Sequence, residues 1–225
     1  MKRSVVTTKD GSKTIRIEEW NEHYHSTHGA IQESRHVYIQ AGLDYFLSKN
    51  QPESITVLEA GFGTGLNALL AYSWAEKTKT PIHYIGIEAY PISSEEKNAL
   101  HYYEALEGEE IKAIFDQLHQ AEWEQEVPIS KVFNLNKLKL FFNDLELKNS
   151  VDVVFYDAFG PRVQPELWEV SIFERFYEAL KPGGVFVTYC VKGTAKRAMQ
   201  SLGFEVDIIE GPPGKRHMMR AYKPC

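Results

Sequence analysis

The chain has 225 residues, a net charge of −6 and 43% hydrophobic residues, enough apolar material for one sizeable core and too much for a disordered chain. No apolar run approaches the roughly 20 residues that cross a bilayer. The N-terminus lacks a signal-peptide pattern, and Cys190 and Cys225 cannot build a disulfide framework, so the expected compartment is the cytoplasm.

In chain order, residues 3–20 alternate loosely around the turn signal Asp10-Gly11 and predict a small hairpin. The stretch "HYHSTHGAIQES" packs His23, His25 and His28 into six positions. The spacing H-x-H-x-x-H fits no regular element that would converge three rings, so no metal site is expected. "GAIQESRHVYIQAGLDYFLSK" then carries Ile31, Val37, Ile39, Leu43 and Phe46 at helical spacing, and Pro52 closes the helix. From residue 55 strands and helices alternate: "ITVLEAG", "IHYIGIEAY", "LKLFFND", "VDVVFYDAFG" and "VFVTYCV" read as strands, and two more flank the Pro/Gly loop of "EVDIIEGPPGKRHMMRAYK". The pattern predicts a doubly wound, mostly parallel, seven-stranded α/β sheet with an antiparallel pair at its end. Residues 1–50 are expected to be an N-terminal extension of hairpin, motif loop and helix packed on the core, and residues 51–225 the main domain.

"LEAGFGTGLN" sets Gly61, Gly63 and Gly65 between a strand and a helix, where glycine lets a ligand approach the backbone. The spacing is G-x-G-x-G, without a Walker lysine, and Glu59 precedes it. An acid there would repel a pyrophosphate but suit the amino group of S-adenosylmethionine. Glu88 ends the second strand, where a carboxylate can accept both hydroxyls of an unphosphorylated ribose. Asn143-Asp144 ends the third strand, where an adenine amino group is held, and Asp157 ends the fourth. Ligands of open α/β sheets bind beyond the carboxyl ends of the strands, so Glu88, Asp144 and Asp157 should face one crevice.

Three blocks, "YHSTHGAIQESRHVY", "LEAGFGTGLNALL" and "FYDAFGPRVQPELW", together with "YCVKGTAKRAMQSLGF" and "GPPGKRHMMRA", resemble the methyltransferase domain of the bacterial tRNA wobble-uridine enzymes of the MnmC/MnmD type. The resemblance implies the Rossmann-like fold of class I S-adenosylmethionine-dependent methyltransferases. It also implies N-methylation of 5-aminomethyl-(2-thio)uridine at position 34 to 5-methylaminomethyl-(2-thio)uridine. In many members an FAD-dependent oxidoreductase is fused to this domain. This chain resembles the stand-alone form, so upstream wobble-uridine enzymes are expected to supply the aminomethyl group.

The resemblance carries over Tyr24, Ser26 and Glu33 as a cofactor-covering segment, and Gly61, Phe62, Gly63, Gly65 and Asn67 as the cofactor loop. Glu88 and Asp144 match its ribose and adenine positions, and Asp157 the aspartate beside the transferred methyl. The acceptor, a primary alkylamine, is mostly protonated at neutral pH. Asp157 is expected to orient it and help take up its proton.

Residues 181–225 hold eight Lys/Arg against three Asp/Glu, a basic quarter on an acidic body. Lys192, Lys196, Arg197, Lys215 and Arg216 are the expected phosphate contacts to the tRNA anticodon stem-loop, and Phe159 or Trp168 a stacking platform for an unpaired base. The alternatives are a methyltransferase of a small molecule or protein, a polyamine synthase of related fold, and a non-catalytic nucleotide-binding module.

Overall fold

The computed structural model of the chain describes residues 2–106 and 109–225. A small antiparallel sheet comes first, made of β1 (Arg3–Thr7), β2 (Lys13–Ile17) and β3 (Glu22–His23). Gly11 takes the turn at φ +82°, and the Asp10 carboxylate accepts the Ser12 N–H at 3.1 Å and the Thr8 hydroxyl at 2.7 Å.

Residues 30–49 form one helical rod with a change of winding: α1 (Ala30–Ser34), a π-wound stretch (Arg35–Asp44) and α2 (Tyr45–Lys49). In π-winding, hydrogen bonds run from i to i+5, so residues five apart share a face. Here Val37 and Gly42 form one such pair and Tyr38 and Leu43 another, all buried. A Cβ on Gly42 would stand 3.1 Å from the Phe155 ring and 3.3 Å from Val187, which measures how closely the rod lies on the sheet. The sequence predicts an ordinary α-helix here. The wider winding turns more of the segment inward than one α-helical stripe would.

The remaining elements are β4 (Ile55–Ala60), α3 (Leu66–Thr78), β5 (Ile82–Ile87), α4 (Ser94–Leu100), α5 (Tyr102–Leu106), α6 (Glu109–Gln120), β6 (Glu126–Ser130), β7 (Phe133–Leu138), β8 (Val151–Tyr156), α7 (Val170–Ala179), β9 (Leu180–Thr188), α8 (Gly193–Ser201), β10 (Glu205–Glu210) and β11 (His217–Tyr222). The main sheet runs β10-β11-β9-β8-β4-β5-β7-β6. β4 pairs in parallel with both β5 and β8, β5 with β7, and β8 with β9, while β11 runs antiparallel between β9 and β10. The expected mostly parallel sheet with an antiparallel end pair is present.

Two details differ from the sequence reading. β6 adds an eighth strand, antiparallel to β7 at the edge. The third strand of the reading, "LKLFFND", is β7 and starts five residues earlier, at Phe133. Its inward residues are Phe133, Leu135 and Lys137. The buried lysine breaks the apolar alternation, and the Phe141-Phe142 pair past the strand end imitates its continuation. Lys137 donates to the His119 carbonyl at 2.7 Å and lies 4.8 Å from the Trp123 ring, and burial pulls its ammonium down to about 8.

Neighbouring strand residues supply opposite faces of the sheet. Val57, Val153, Phe155 and Val187 join the core under the π-wound rod, α3 and α6. Leu58, Val154, Tyr156 and Phe186 join the core under α7 and α8. That is the signature of a sheet covered on both sides.

Asp152 ties the lower end of β8 to its neighbours: Oδ2 accepts the Thr56 N–H at 2.8 Å, and both oxygens accept from Lys181 Nζ at 2.9 Å. Asp152→Ala is expected to cost about 1–3 kcal/mol, because it strands the Thr56 N–H. Asp152→Asn, which keeps a carbonyl acceptor, should cost less. Urea unfolding checks the order, and equal losses would contradict it.

Candidate active site

Strand order reverses between β4 and β8, which places the topological switch at the carboxyl ends of these two strands. There Asp157 N–H donates to the Ala60 carbonyl at 3.0 Å, and a Cβ on Gly61 would stand 3.0 Å from the Asp157 carbonyl. Gly61 sits at φ +90° and Gly63 at +48°, a region that favours glycine. A side chain on Gly63 would also meet the Tyr24 ring at 3.1 Å.

Four of the loop's amides are already engaged. Gly61 and Phe62 donate to the Ile87 carbonyl at 3.0 and 2.9 Å, Gly63 to Glu88 Oε2 at 2.9 Å, and Gly65 to the Phe62 carbonyl at 2.8 Å. A phosphate cradle needs such amides free. This loop instead holds its shape and places the Glu88 carboxylate at its lip, with Oε1 accepting the Tyr90 N–H at 2.8 Å.

A cavity of about 760 Å³ opens above the switch, within the range of roughly 300–1,000 Å³ typical of small-molecule sites. Its floor includes Gly61, Phe62, Gly63, Asn67 and Asp157, and Glu88 and Asn143 stand on one side. On that side Tyr90 and Phe141 are mostly exposed and meet edge to face at 5.9 Å. The other side carries Trp20, Tyr24, Phe159, Tyr189 and Lys215. Phe159 packs edge to face on Tyr24 at 4.9 Å and on Trp20 at 5.6 Å.

Asp157 is a half-buried acid in the cavity lining. Asn67 Nδ2 donates to its Oδ2 at 2.8 Å and also to Glu59 Oε1 at 2.9 Å, so one amide joins two carboxyl groups. Burial pushes the Asp157 carboxyl above its usual range; the nearby His25 and the hydroxyl of Tyr38 pull it back, and the Glu33 charge adds to the rise. Glu59 is fully buried, and burial raises its carboxyl well above the ordinary value.

The segment before α1 closes the top. His25 N–H donates to Thr14 Oγ1 at 3.0 Å, and ring Nδ1 lies 3.2 Å from the same oxygen. Glu33 Oε2 accepts the Ser26 N–H at 2.6 Å, and its Oε1 accepts from Lys215 Nζ at 2.5 Å. The Lys215 ammonium also sits 4.0 Å above the Tyr189 ring. Arg162 binds Glu22, a cavity-lining residue, at 2.8 Å. The N-terminal motif and the loop between β10 and β11 therefore meet over the cavity.

Several expected residues stand elsewhere. Glu59 does not line the cavity; it lies one layer behind Asn67, because a strand residue two before the loop points into the core. Asn143 lines the cavity, and Asp144 is exposed on a short 3₁₀ turn (Phe142–Asp144) beyond β7 rather than at a strand end. Trp168 is only 4% exposed, with Nε1 donating to the Phe159 carbonyl at 2.8 Å and its ring against Tyr156, so it is no platform for a base. Lys215 is committed to Glu33. Lys192, Lys196, Arg197 and Arg216 lie outside the cavity wall, and all but the half-buried Lys196 are exposed.

Ser26, Glu33 and Gly65 brace the site without lining it, whereas Tyr24 and Phe159 line it. Asn143, named from the sequence together with Asp144, and His25, named there only as one of three histidines, also line it; Tyr189 and the Tyr90–Phe141 pair line it and were not singled out. The histidine cluster gave a signal without singling out one ring. Its rings take separate partners: His25 uses Thr14, while His28 Nδ1 lies 3.4 Å from Lys9 Nζ.

Residues 109–224 match the model of a family described as S-adenosyl-L-methionine-dependent methyltransferase. The chain is 30% identical over 214 residues to the tRNA 5-methylaminomethyl-2-thiouridine biosynthesis bifunctional protein MnmC of Idiomarina loihiensis, covering 87% of this chain and 34% of that one. It is equally identical over 208 residues to the protein of the same name from Methylobacillus flagellatus, covering 87% and 32%. The chain thus spans about a third of the length of these curated relatives.

Among solved structures, MnmC2 from Aquifex aeolicus matches with a TM-score of 0.76 and 25% identity over 98% of this chain and 70% of that one. Spermidine synthase from Thermotoga maritima shares the fold alone, at a TM-score of 0.54 and 13% identity over 98% and 71%. The family match, the engaged glycine loop and the carboxylate at its lip agree: this chain belongs to the S-adenosyl-L-methionine-dependent methyltransferases.

Proposed function

We propose that the chain N-methylates 5-aminomethyl-(2-thio)uridine at wobble position 34 of tRNA, giving 5-methylaminomethyl-(2-thio)uridine. The observation that carries this reading is a half-buried carboxylate, Asp157, in a cavity also lined by Trp20, Tyr24 and Phe159. Such a site suits a planar base that bears a cation. The names of the similar proteins supply the identity of that base.

S-Adenosylmethionine, when bound, supplies a methyl group activated by a sulfonium. Glu88 accepts from the ribose hydroxyls, and Tyr90, Phe141 and Asn143 receive the adenine. Gly61, Gly63, Asn67 and Tyr24, which line the cavity, would hold its methionine part. Asp157 holds the acceptor ammonium and aligns its nitrogen with the methyl, a contribution of position more than of chemistry.

Residues 1–50 act as the extension that covers the cofactor, and residues 51–225 as the methyltransferase domain. Upstream wobble-uridine enzymes install the aminomethyl group, and the work is done in the cytoplasm. Among the described residues no helix is long and apolar enough to cross a membrane.

The test is methyl transfer from labelled cofactor to tRNA carrying 5-aminomethyluridine, with nucleoside mass spectrometry of the product. One added methyl on the position-34 nucleoside is expected. Transfer to tRNA lacking uridine 34, or none, would overturn the reading.

Lys192, Arg197 and Arg216 lie outside the cavity and are exposed, and they are proposed to contact phosphates. Changing all three to Glu should weaken tRNA binding and flatten the slope of log affinity against log salt by about 2–3. An unchanged slope would remove them from the interface.

A further inference from the structure

We propose that Glu59 is a positioning residue: acting through the Asn67 amide, it fixes the orientation of Asp157 in the acceptor pocket without touching cofactor or substrate. Its effect on catalysis rests on the amine-methylation reading above.

The link runs through three elements. Glu59 stands on β4 in the middle of the sheet, paired with Gly86 of β5 on one side and Phe155 of β8 on the other. Asn67 is the second residue of α3, and Asp157 follows the end of β8. Asn67 Nδ2 carries two hydrogens, and both are engaged. One goes to Glu59 Oε1 at 2.9 Å and the other to Asp157 Oδ2 at 2.8 Å.

An amide held by one hydrogen can still turn about its last side-chain bond. Held by both, it has one orientation, and the second hydrogen points at Asp157. Turning the amide over would set its Oδ1 against the Asp157 carboxylate. That Oδ1 is buried and has no hydrogen-bond partner among the described residues, so it contributes nothing to holding the amide. The grip therefore depends on the acceptor behind it.

Glu59 is suited to be the fixed end. It is fully buried, while Asn67 and Asp157 line the cavity. Burial raises its carboxyl well above the ordinary value; the Asn67 bond and the Tyr84 hydroxyl of β5 oppose that rise, and the charges of Asp157 and Glu88 add to it. An uncharged glutamine is therefore a close replacement, because its carbonyl can accept the same Asn67 N–H. A methionine of equal length fills the space and offers no such acceptor. What the grip supplies to the reaction is position: a carboxylate with one fixed oxygen holds the acceptor nitrogen in one place before the methyl.

The experiment compares Glu59→Gln with Glu59→Met, two uncharged variants that differ in the acceptor. The first readout needs no RNA. Carboxyl-carbon NMR follows the titration of Asp157 in aspartate-labelled chain, its signal assigned by its loss in Asp157→Asn. The Asn67 N–H favours the ionised carboxylate, so losing it should raise the midpoint. Glu59→Met should titrate at higher pH than Glu59→Gln. His25, Glu33 and Tyr38 also act on Asp157, and they are the same in both variants.

The second readout is single-turnover methyl transfer to an anticodon stem-loop carrying 5-aminomethyluridine, with S-adenosylmethionine and RNA saturating. Glu59→Gln should stay within about threefold of native, and Glu59→Met should run about tenfold slower, the scale of one hydrogen bond. Glu59→Leu carries the comparison if the methionine variant does not fold. Equal Asp157 midpoints in the two variants, or a glutamine variant as slow as the methionine one, would overturn the proposal. A native chain that methylates none of this RNA would overturn the amine reading, while the Asp157 titration still decides the link to Glu59 on its own.

Discussion

Asp157→Asn is expected to lower methyl transfer at neutral pH by roughly 10²- to 4 × 10³-fold without lowering the melting midpoint. The activity loss follows from the charge. A desolvated ammonium whose counter-ion is removed costs about 3–5 kcal/mol, and each 1.4 kcal/mol is about a factor of ten. The side chain keeps a carbonyl oxygen for the Asn67 N–H, so the local geometry survives.

Stability moves the other way because burial raises the folded pKa of Asp157. The folded chain therefore binds this proton more tightly than the unfolded one, whose value is near ~3.9. The cost of ionising the group is absent below that value, grows as pH rises toward the folded pKa, and is present in full above it. Asparagine never ionises, so the variant should melt no lower than the native chain at neutral pH, and the difference should vanish in acid. Activity within a few-fold of native would remove Asp157 from the mechanism, and a large drop in melting midpoint would assign it to the fold.

Glu88→Ala should weaken S-adenosylmethionine binding by about 100-fold. One carboxylate serves two loops: Oε2 holds the Gly63 N–H and Oε1 the Tyr90 N–H. Alanine strands both amides, each at about 1–3 kcal/mol, and removes the acceptor proposed for the ribose. The product S-adenosylhomocysteine carries the same ribose, so its affinity should fall in parallel. Glu88→Gln, which keeps one acceptor oxygen, should lose less. Calorimetric titration of both ligands checks the order, and an affinity unchanged in Glu88→Ala would dismiss the ribose contact.

Much of the site was legible because some of its signals are local. Gly61 and Gly63 stand at positive φ between a strand and a helix, and the string "AGFGTGLN" announces that turn on its own. Glu88 and Asp157 follow the last residues of β5 and β8, positions that the runs of Val, Ile and Tyr bound closely. Glu59 shows where this reasoning stops. It too is an acid beside the loop, but alternation along β4 turns its side chain into the core, and Asn67 on α3 presents the polar group instead. Asp144 fails for a different reason. β7 ends at Leu138, so the chain travels further before the turn, and Asn143 faces the cavity. The histidines repeat the lesson in reverse, since nothing in H-x-H-x-x-H distinguishes His25, which faces the cavity, from His28, which lies by Lys9.

The sequence by itself determined the alternation of strands and helices, the mostly parallel sheet, the glycine loop and the family. Each depends on periodicity or on residues adjacent in the chain, which interact whatever the rest of the molecule does. The tertiary structure alone decided which side chains share the cavity. Lys215 meets Glu33 across 182 positions of sequence and leaves the expected RNA face for an internal ion pair. The π-wound rod brings Tyr38 beside Asp157, and a hairpin threonine holds His25 in the wall of the cavity that Asp157 also lines. Such encounters are set by how closed layers pack against one another, and a linear pattern holds no record of which faces will meet.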